Sequence, residues 1–315
     1  MSQLTVDNLQ TFLSKSIASL NRNKLNGILA EIEFRNYLGT LGFQDKVSPG
    51  GWIARSTGPG QFGHHTIAVF PETIIPDRIY PADRILPVPS IGLHTICSTF
   101  HQMGIHSYYC APTIQREGAP ESVIWHFIQL GLPTAQGYRI FPFDLGGFIS
   151  RERRYNFLRY TTIIDSIPIQ AIPDQFSKEH LRVTFQNSFI AEISDIDGIF
   201  WGQQYTYPIE IKEKTAATDR NLGKYFGLDL GPFVKLAYYS AKRGNLHSLF
   251  VVREIDNAEQ RSLVNWWFIT FERLAQFASW VPSGGGTNML GGQSTVVKVP
   301  KAEFRILDTE SLSTL

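Results

Sequence analysis

Two short segments of the chain carry acidic and basic side chains at the spacing of a β-strand. The segment "SDIDGIF" contains Asp195 and Asp197, and the segment "YPIEIKEKT" contains Glu210 and Lys212. Side chains two residues apart lie on the same face of a strand, so each of these pairs shares one face. The short link 202–204 predicts a hairpin, in which Asp197 and Glu210 converge at the end of a sheet.

Such an arrangement favours metal-assisted chemistry. Two neighbouring carboxylates repel each other unless a cation lies between them, and their hard oxygen atoms suit Mg²⁺. The carbonyl of Ile211 adds an oxygen, and Lys212 can hold or polarise a water. These residues predict a site with oxygen ligands, one lysine and room for a phosphate, with Asp195 as a neighbour rather than a ligand. The alternative is that both strands simply present a polar face to solvent.

The surrounding segments predict a mixed α/β or α+β core. Helices are predicted over 4–20 and 24–41, and the second places Glu31 on a stripe of apolar residues at helical spacing. Strands at 188–201 and 205–213, the helix "DLGPFVKLAYYSAKRGN" and the strand "LHSLFVVREI" then follow one another. Further helices are predicted over 93–104, 121–131 and 257–279, sheet and loop over 137–185, and a loop at "SGGGTNMLGG".

The order of these residues resembles that of a known family. Asp197, a spacer of 12 residues and then Glu210-Ile211-Lys212 resemble the signature of the PD-(D/E)xK nuclease superfamily, although Ile196 replaces the proline that opens the motif. Glu31 on the early helix is similar to the helix glutamate of many members. The resemblance implies a restriction-endonuclease-like fold, with a central mixed β-sheet flanked by helices. It implies one nuclease unit over 1–315, with a catalytic core at 20–45 and 186–315 and a DNA-recognition elaboration at 50–185.

The resemblance also implies a reaction, the hydrolysis of phosphodiester bonds. Mg²⁺, for which Mn²⁺ can substitute, would be held by Asp197, Glu210, Glu31 and the Ile211 carbonyl, while Lys212 would orient the attacking water. Among members, the chain most resembles type II restriction enzymes, because it is of free-standing size and lacks ATPase and helicase motifs. This implies cleavage of double-stranded DNA by a homodimer, since palindromic sites suit two-fold symmetry.

Two other functions stay open at this point. The first is a structure-specific nuclease, or one for repair or defence, with the same fold; it would not produce the discrete fragments expected of a sequence-specific enzyme. The second is a non-catalytic nucleic-acid-binding protein, which would bind DNA without needing a divalent ion.

Residues that could contact DNA occur in two places. The segment "RERRYNFLRY" supplies Arg151, Arg153, Arg154, Tyr155 and Arg159, whose guanidinium groups can neutralise phosphates or read guanine edges and whose aromatic ring can stack. The loop after the second strand supplies Lys214, Arg220 and Lys224, and the next helix supplies Lys235. The alternative for the arginine-rich segment is a solvated face above packed aromatic rings.

A cluster of histidines and cysteines raises the alternative of a zinc site. Its members, which could bind zinc, are His94, Cys97, His101, His106 and Cys110. Their spacing matches no common zinc finger, and no Cys-x-x-Cys is present, so buried or hydrogen-bonded structural residues are the favoured interpretation.

Composition sets the broad class. The 315 residues are 43% hydrophobic and carry a net charge of +1, so bulk charge does not indicate a nucleic-acid-binding protein. Two cysteines exclude a disulfide framework and suit a reducing compartment. The N-terminal segment has no apolar core of signal-peptide length, and the most apolar stretch elsewhere, "VIWHFIQLGL", is about half as long as a membrane span. An intracellular, cytoplasmic protein without membrane contact is therefore predicted, and the resemblance to restriction enzymes implies a prokaryotic source.

Overall fold

The computed structural model describes residues 2–16, 22–56, 66–82, 91–130, 138–145, 166–188, 191–242, 246–289 and 292–315. The α-helices are α1 (Val6–Ser16), α2 (Arg22–Thr40), α3 (Ile91–Gln102), α4 (Ile172–Ser188), α5 (Leu230–Ser240), α6 (Phe271–Phe277) and α7 (Thr309–Ser313). The strands are β1 (Val47–Ser56), β2 (Thr66–Pro71), β3 (His106–Ile114), β4 (Val123–Leu130), β5 (Tyr138–Leu145), β6 (Ala191–Trp201), β7 (Thr206–Lys214), β8 (Ala217–Asp219), β9 (Gly223–Asp229), β10 (Leu249–Ile255), β11 (Leu263–Thr270), β12 (Ser283–Met289), β13 (Gly292–Pro300) and β14 (Arg305–Ile306).

The chain divides into two compact units. Unit 1 contains Met1–Leu29 and Pro49–Ile196, and unit 2 contains Ala30–Ser48 and Asp197–Leu315. In unit 1 the strands lie in the order β1-β2-β3-β4-β5. Strands β2 and β3 are parallel, with α3 between them in the chain, and the other neighbours are antiparallel. Helices α1 and α4 also pack in this unit, where the rings of Phe12 and Phe176 meet edge to face at 5.3 Å.

Unit 2 contains a mixed sheet between two apolar layers. Its strands lie in the order β14-β11-β10-β7-β6, and only β7 and β10 are parallel. Parallel neighbours need a long crossover connection, and here α5 forms part of it. Strand β10, with the sequence "LFVVREI", is buried along its whole length, as is usual for a strand covered on both faces. The expected mixed α/β class, with a mixed sheet flanked by helices, is confirmed.

The two faces of β10 pack in different hydrophobic clusters. Leu249 and Val251 lie with apolar residues of α2 and with Ile209 and Ile211 of β7. Phe250 and Val252 lie on the other face, with residues of α5, β9 and β13. Because side chains alternate along β7, Glu210 and Lys212 face the α5 side of the sheet. Strands β9 and β13 belong to a second, four-stranded sheet in the order β12-β13-β9-β8.

Several predicted elements were wrong. The segment predicted as a helix over 121–131 is strand β4, and the helix predicted over 257–279 is strand β11 followed by the short α6. The predicted sheet and loop over 137–185 includes much of helix α4, and the predicted loop "SGGGTNMLGG" contains β12. Short apolar runs such as "VIWHFIQL" fit a buried strand or a buried helix equally well, so periodicity alone could not assign them.

No helix among the described residues is long and apolar enough to cross a membrane.

The hairpin between β6 and β7 turns tightly at Gly202, as the short link predicted. The Gly202 amide donates to the Tyr205 carbonyl at 2.9 Å, and the Gln203 amide donates to the Leu315 carbonyl at 2.9 Å. A Cβ atom added at Gly202 would lie 2.3 Å from the Leu315 carbonyl oxygen and 2.9 Å from the Tyr207 ring. Only glycine leaves room for this approach.

We therefore expect Gly202→Ala to destabilise the protein by about 1–3 kcal/mol, the usual cost of forcing extra atoms into a packed site. Chemical denaturation measures the free energy of unfolding. Gly231→Ala is the matched control, since a Cβ atom there meets nothing within 4 Å. Equal stability of the two variants would contradict the packing argument.

Candidate metal centre

Three carboxylates come together where β6 and β7 pair. The strands are antiparallel, with Gly198 opposite Ile209. Continuing this register by one residue sets Asp197 opposite Glu210, on the α5 side of the sheet. One ligand oxygen from each of Asp195, Asp197 and Glu210 lies within 4.8 Å of the others. Among the described side chains, this is the one set of three such ligands close enough to share a metal ion.

Asp197 is fixed by the backbone of the neighbouring strand. Its carboxylate is 4% exposed, and Oδ2 accepts a hydrogen bond of 2.7 Å from the amide of Ile211. Ile211, predicted to offer its carbonyl to the metal, thus contacts the site through its amide, while its side chain lies in the core on the α2 side. This hydrogen bond orients the Asp197 carboxylate.

Glu210 is held by two lysines. Its side chain is 1% exposed; Oε1 lies 2.7 Å from Nζ of Lys212, and Oε2 contacts Nζ of Lys235. A carboxylate buried this deeply needs such partners, because an unpaired buried charge is strongly unfavourable. The two ammonium groups also oppose the repulsion among the three carboxylates.

Lys235 is buried beside Glu210. It was expected to contact DNA, but its side chain is only 8% exposed and its ammonium group points at Glu210. The helix sequence "GPFVKLAYYS" held a signal for this, since a single lysine within an apolar helix needs a buried partner. The sequence contained no information on which carboxylate that partner would be.

The loop residues predicted to contact DNA differ in exposure. Arg220 and Lys224 are exposed on the β8–β9 hairpin, directly after the strand that carries Glu210. Lys214 is largely enclosed: burial lowers the pKa of its ammonium group, and the carboxylate of Asp229, 4.0 Å away, opposes this effect.

The structure groups the acidic residues differently from the prediction. Asp195, predicted as a neighbour, belongs to the group of three carboxylates. Glu31, predicted as a metal ligand, does not belong to it. Glu31 is buried in α2, and other residues of this helix pack against Ile209 and Ile211, on the face of β7 opposite to Glu210.

Several predicted residues lie outside the described part of the chain. These are Arg151, Arg153, Arg154, Tyr155 and Arg159, and the side chain of His94 is likewise not described. The described members of the zinc cluster, Cys97, His101, His106 and Cys110, form no group of ligands comparable with the three carboxylates. Burial raises the pKa of the Cys97 thiol to about 12 and raises that of Cys110, so both thiols are protonated at neutral pH.

No protein-family model, curated protein or solved structure matches this chain significantly.

Proposed function

We propose that this protein is a Mg²⁺-dependent endonuclease that hydrolyses phosphodiester bonds in double-stranded DNA, with a restriction-endonuclease-like core. The observation that carries the proposal is the meeting of Asp195, Asp197 and Glu210 on adjacent strands, with Lys212 in contact with Glu210. This arrangement combines anionic oxygen ligands with one partly exposed ammonium group, as metal-assisted phosphoryl chemistry requires.

The donor set fits Mg²⁺. The ion prefers hard oxygen ligands and keeps several waters when one or two carboxylates hold it. Ligand oxygens on opposite sides of Mg²⁺ are about 4.2 Å apart, and the ligand oxygens of this group all lie within 4.8 Å of one another. Asp197 and Glu210 would be the principal ligands, with Asp195 beside them. When bound, the ion would lower the pKa of a coordinated water and polarise a phosphoryl oxygen.

The other residues have separate roles in this proposal. Lys212 is 32% exposed, so its ammonium group can orient the attacking water and offset charge on the phosphate while it remains close to Glu210. Lys235 is buried and holds the second oxygen of Glu210, which makes it a positioning residue. The Ile211 amide does the same for Asp197.

Sequence-specific cleavage by a homodimer, as in type II restriction enzymes, is the subclass that we propose. The exposed Arg220 and Lys224 support contact with DNA phosphates near the site, since both follow the Glu210 strand within one hairpin.

Incubation of plasmid and phage DNA with the protein tests the proposal. We expect cleavage with Mg²⁺ or Mn²⁺ and none with EDTA. Discrete fragments on a gel would support sequence recognition, whereas a smear would indicate the structure-specific or non-specific nuclease. Absence of cleavage with either ion, on all DNA substrates, would overturn the assignment as a nuclease.

A further inference from the structure

The chain segment between α6 and β12 exposes a tryptophan to solvent. Trp280 is 90% exposed and its neighbour Val281 is 77% exposed. All six tryptophans of the chain lie within the described residues, and Trp280 is the one classed as exposed among them. Its ring stacks on no other described aromatic ring. An indole left in water forgoes the large stabilisation that burial of an aromatic ring gives, so a tryptophan this exposed indicates a contact surface.

The backbone that carries Trp280 is firmly held. The amide of Ser279 donates to the carbonyl of Lys298 at 2.9 Å, and the amide of Lys298 donates to Oγ of Ser279 at 2.9 Å. Ala278, one residue earlier, is buried and caps α6 through its amide. The indole is therefore presented from a backbone segment that is hydrogen-bonded to β13, which reduces the entropy lost when a ligand stacks on it.

The side chain of Lys298 links this position to a basic hairpin. Its Nζ donates to Oδ2 of Asp219 at 2.8 Å and lies 5.1 Å from the centre of the Tyr225 ring. Ser279 is thus hydrogen-bonded to the backbone of Lys298, and Asp219 to its side chain. Trp280 and Arg220 are the residues that follow these two in the chain. The other oxygen of Asp219 accepts from the amides of Asn221 and Leu222 and fixes the hairpin turn.

The charges around the hairpin favour an anionic partner. Lys298 balances Asp219, and Lys214 lies near Asp229. Arg220 and Lys224 are exposed, and neither makes an ion pair with another described residue. An exposed aromatic ring and two exposed cations, connected here through Lys298, are the combination that binds a base and its phosphates.

We propose that Trp280 stacks on a base where the bound DNA duplex is kinked and its base pairs are partly unstacked, while Arg220 and Lys224 neutralise nearby phosphates. This inference rests on the proposed function, because it identifies the DNA-contact surface of the same enzyme. The β8–β9 hairpin connects the strand of Glu210 and Lys212 to helix α5, which carries Lys235, so DNA held here lies beside the elements that build the metal centre.

Binding of a fluorescently labelled DNA duplex, with Ca²⁺ in place of Mg²⁺, tests the inference. Trp280→Ala is expected to weaken binding roughly 5- to 100-fold, the range typical of one base–aromatic stack. Trp280→Tyr should retain most of the affinity. Val264→Ala is the matched control. Val264 is 55% exposed on a different sheet, so this variant should bind DNA as the wild type does.

The salt dependence of binding tests the two cations. Arg220→Ala and Lys224→Ala should each reduce the slope of log K against log salt by about 0.9.

Parallel measurements separate this inference from the proposed function. If Trp280→Ala binds and cleaves DNA as the wild type does, the stacking role is overturned and the nuclease stands. If the wild type binds DNA through Trp280 without cleaving it, the nuclease is overturned and the contact surface stands. If Trp280→Ala instead converts a dimer to a monomer in sedimentation, with DNA binding unchanged, the surface belongs to a second copy of the chain and the inference fails.

Discussion

Glu210→Gln is expected to reduce DNA cleavage by roughly 10³-fold or more, because it removes a metal ligand and leaves the neutral amide facing two ammonium groups. Asp197→Asn and Lys212→Ala should give losses of similar size. Lys212→Ala is the variant that tests chemistry most directly, since Lys212 is partly exposed and Lys235 still contacts Glu210 when Lys212 is removed. Initial cleavage rates in Mg²⁺ measure the effect, with thermal unfolding as the check on folding.

Glu213→Gln provides the matched control on the same strand. Glu213 lies on the opposite face of β7, and its Oε2 is bonded to Arg253 at 2.9 Å and to Arg261 at 2.7 Å, as Glu210 is bonded to two lysines. Its substitution should lower stability, because Arg253 is 9% exposed and loses a buried partner. It should leave cleavage intact. Equal loss of activity in both variants would mean that general destabilisation explains the result and that Glu210 has no special role.

The second large effect is expected in unit 1, where Glu179→Ala should destabilise the protein by about 3–5 kcal/mol. The Glu179 side chain is 3% exposed and bonds Nζ of Lys24 at 2.5 Å and the guanidinium of Arg182 at 2.7 Å. Both cations also lie 5.6 Å from the centre of the Trp52 ring. Removing the carboxylate would leave two cations in a buried site without their common partner.

Chemical denaturation at neutral pH measures this loss of stability. Glu121→Ala is the comparison, since Glu121 and Arg116 form an exposed pair that is expected to contribute at most about 1 kcal/mol. A loss at Glu179 no larger than that at Glu121 would show that the buried pair contributes no more than a surface one.

The same carboxylate predicts a pH dependence of stability. Burial alone would raise the pKa of Glu179, but the charges of Arg182 and Lys24 outweigh it and lower the pKa to about 2 from 4.5. A group whose pKa is lower in the folded state stabilises the protein above its unfolded pKa. Its contribution is therefore complete above pH 4.5 and is lost as the pH falls towards 2. The Glu179→Ala protein should show a shallower loss of stability across that range than the wild type.

The sequence by itself determined which side chains share a face. Alternation along a strand has a period of two residues, so the pairs Asp195 with Asp197 and Glu210 with Lys212 followed directly from their spacing. The short link after Trp201 likewise determined that β6 and β7 form a hairpin. Local geometry controls both features, and local geometry is what a short segment of sequence specifies.

Only the tertiary structure decided which elements surround that hairpin. Lys235 meets Glu210 because the parallel pairing of β7 and β10 carries α5 across the sheet, and no local pattern specifies where a crossover helix lies. The packing of α2 against Ile209 and Ile211, on the other face of β7, likewise joins residues that are far apart in the sequence. The assignments of β4 and β11 also depended on their neighbours, since an apolar run of eight residues is stable as a strand only when other strands supply its hydrogen bonds.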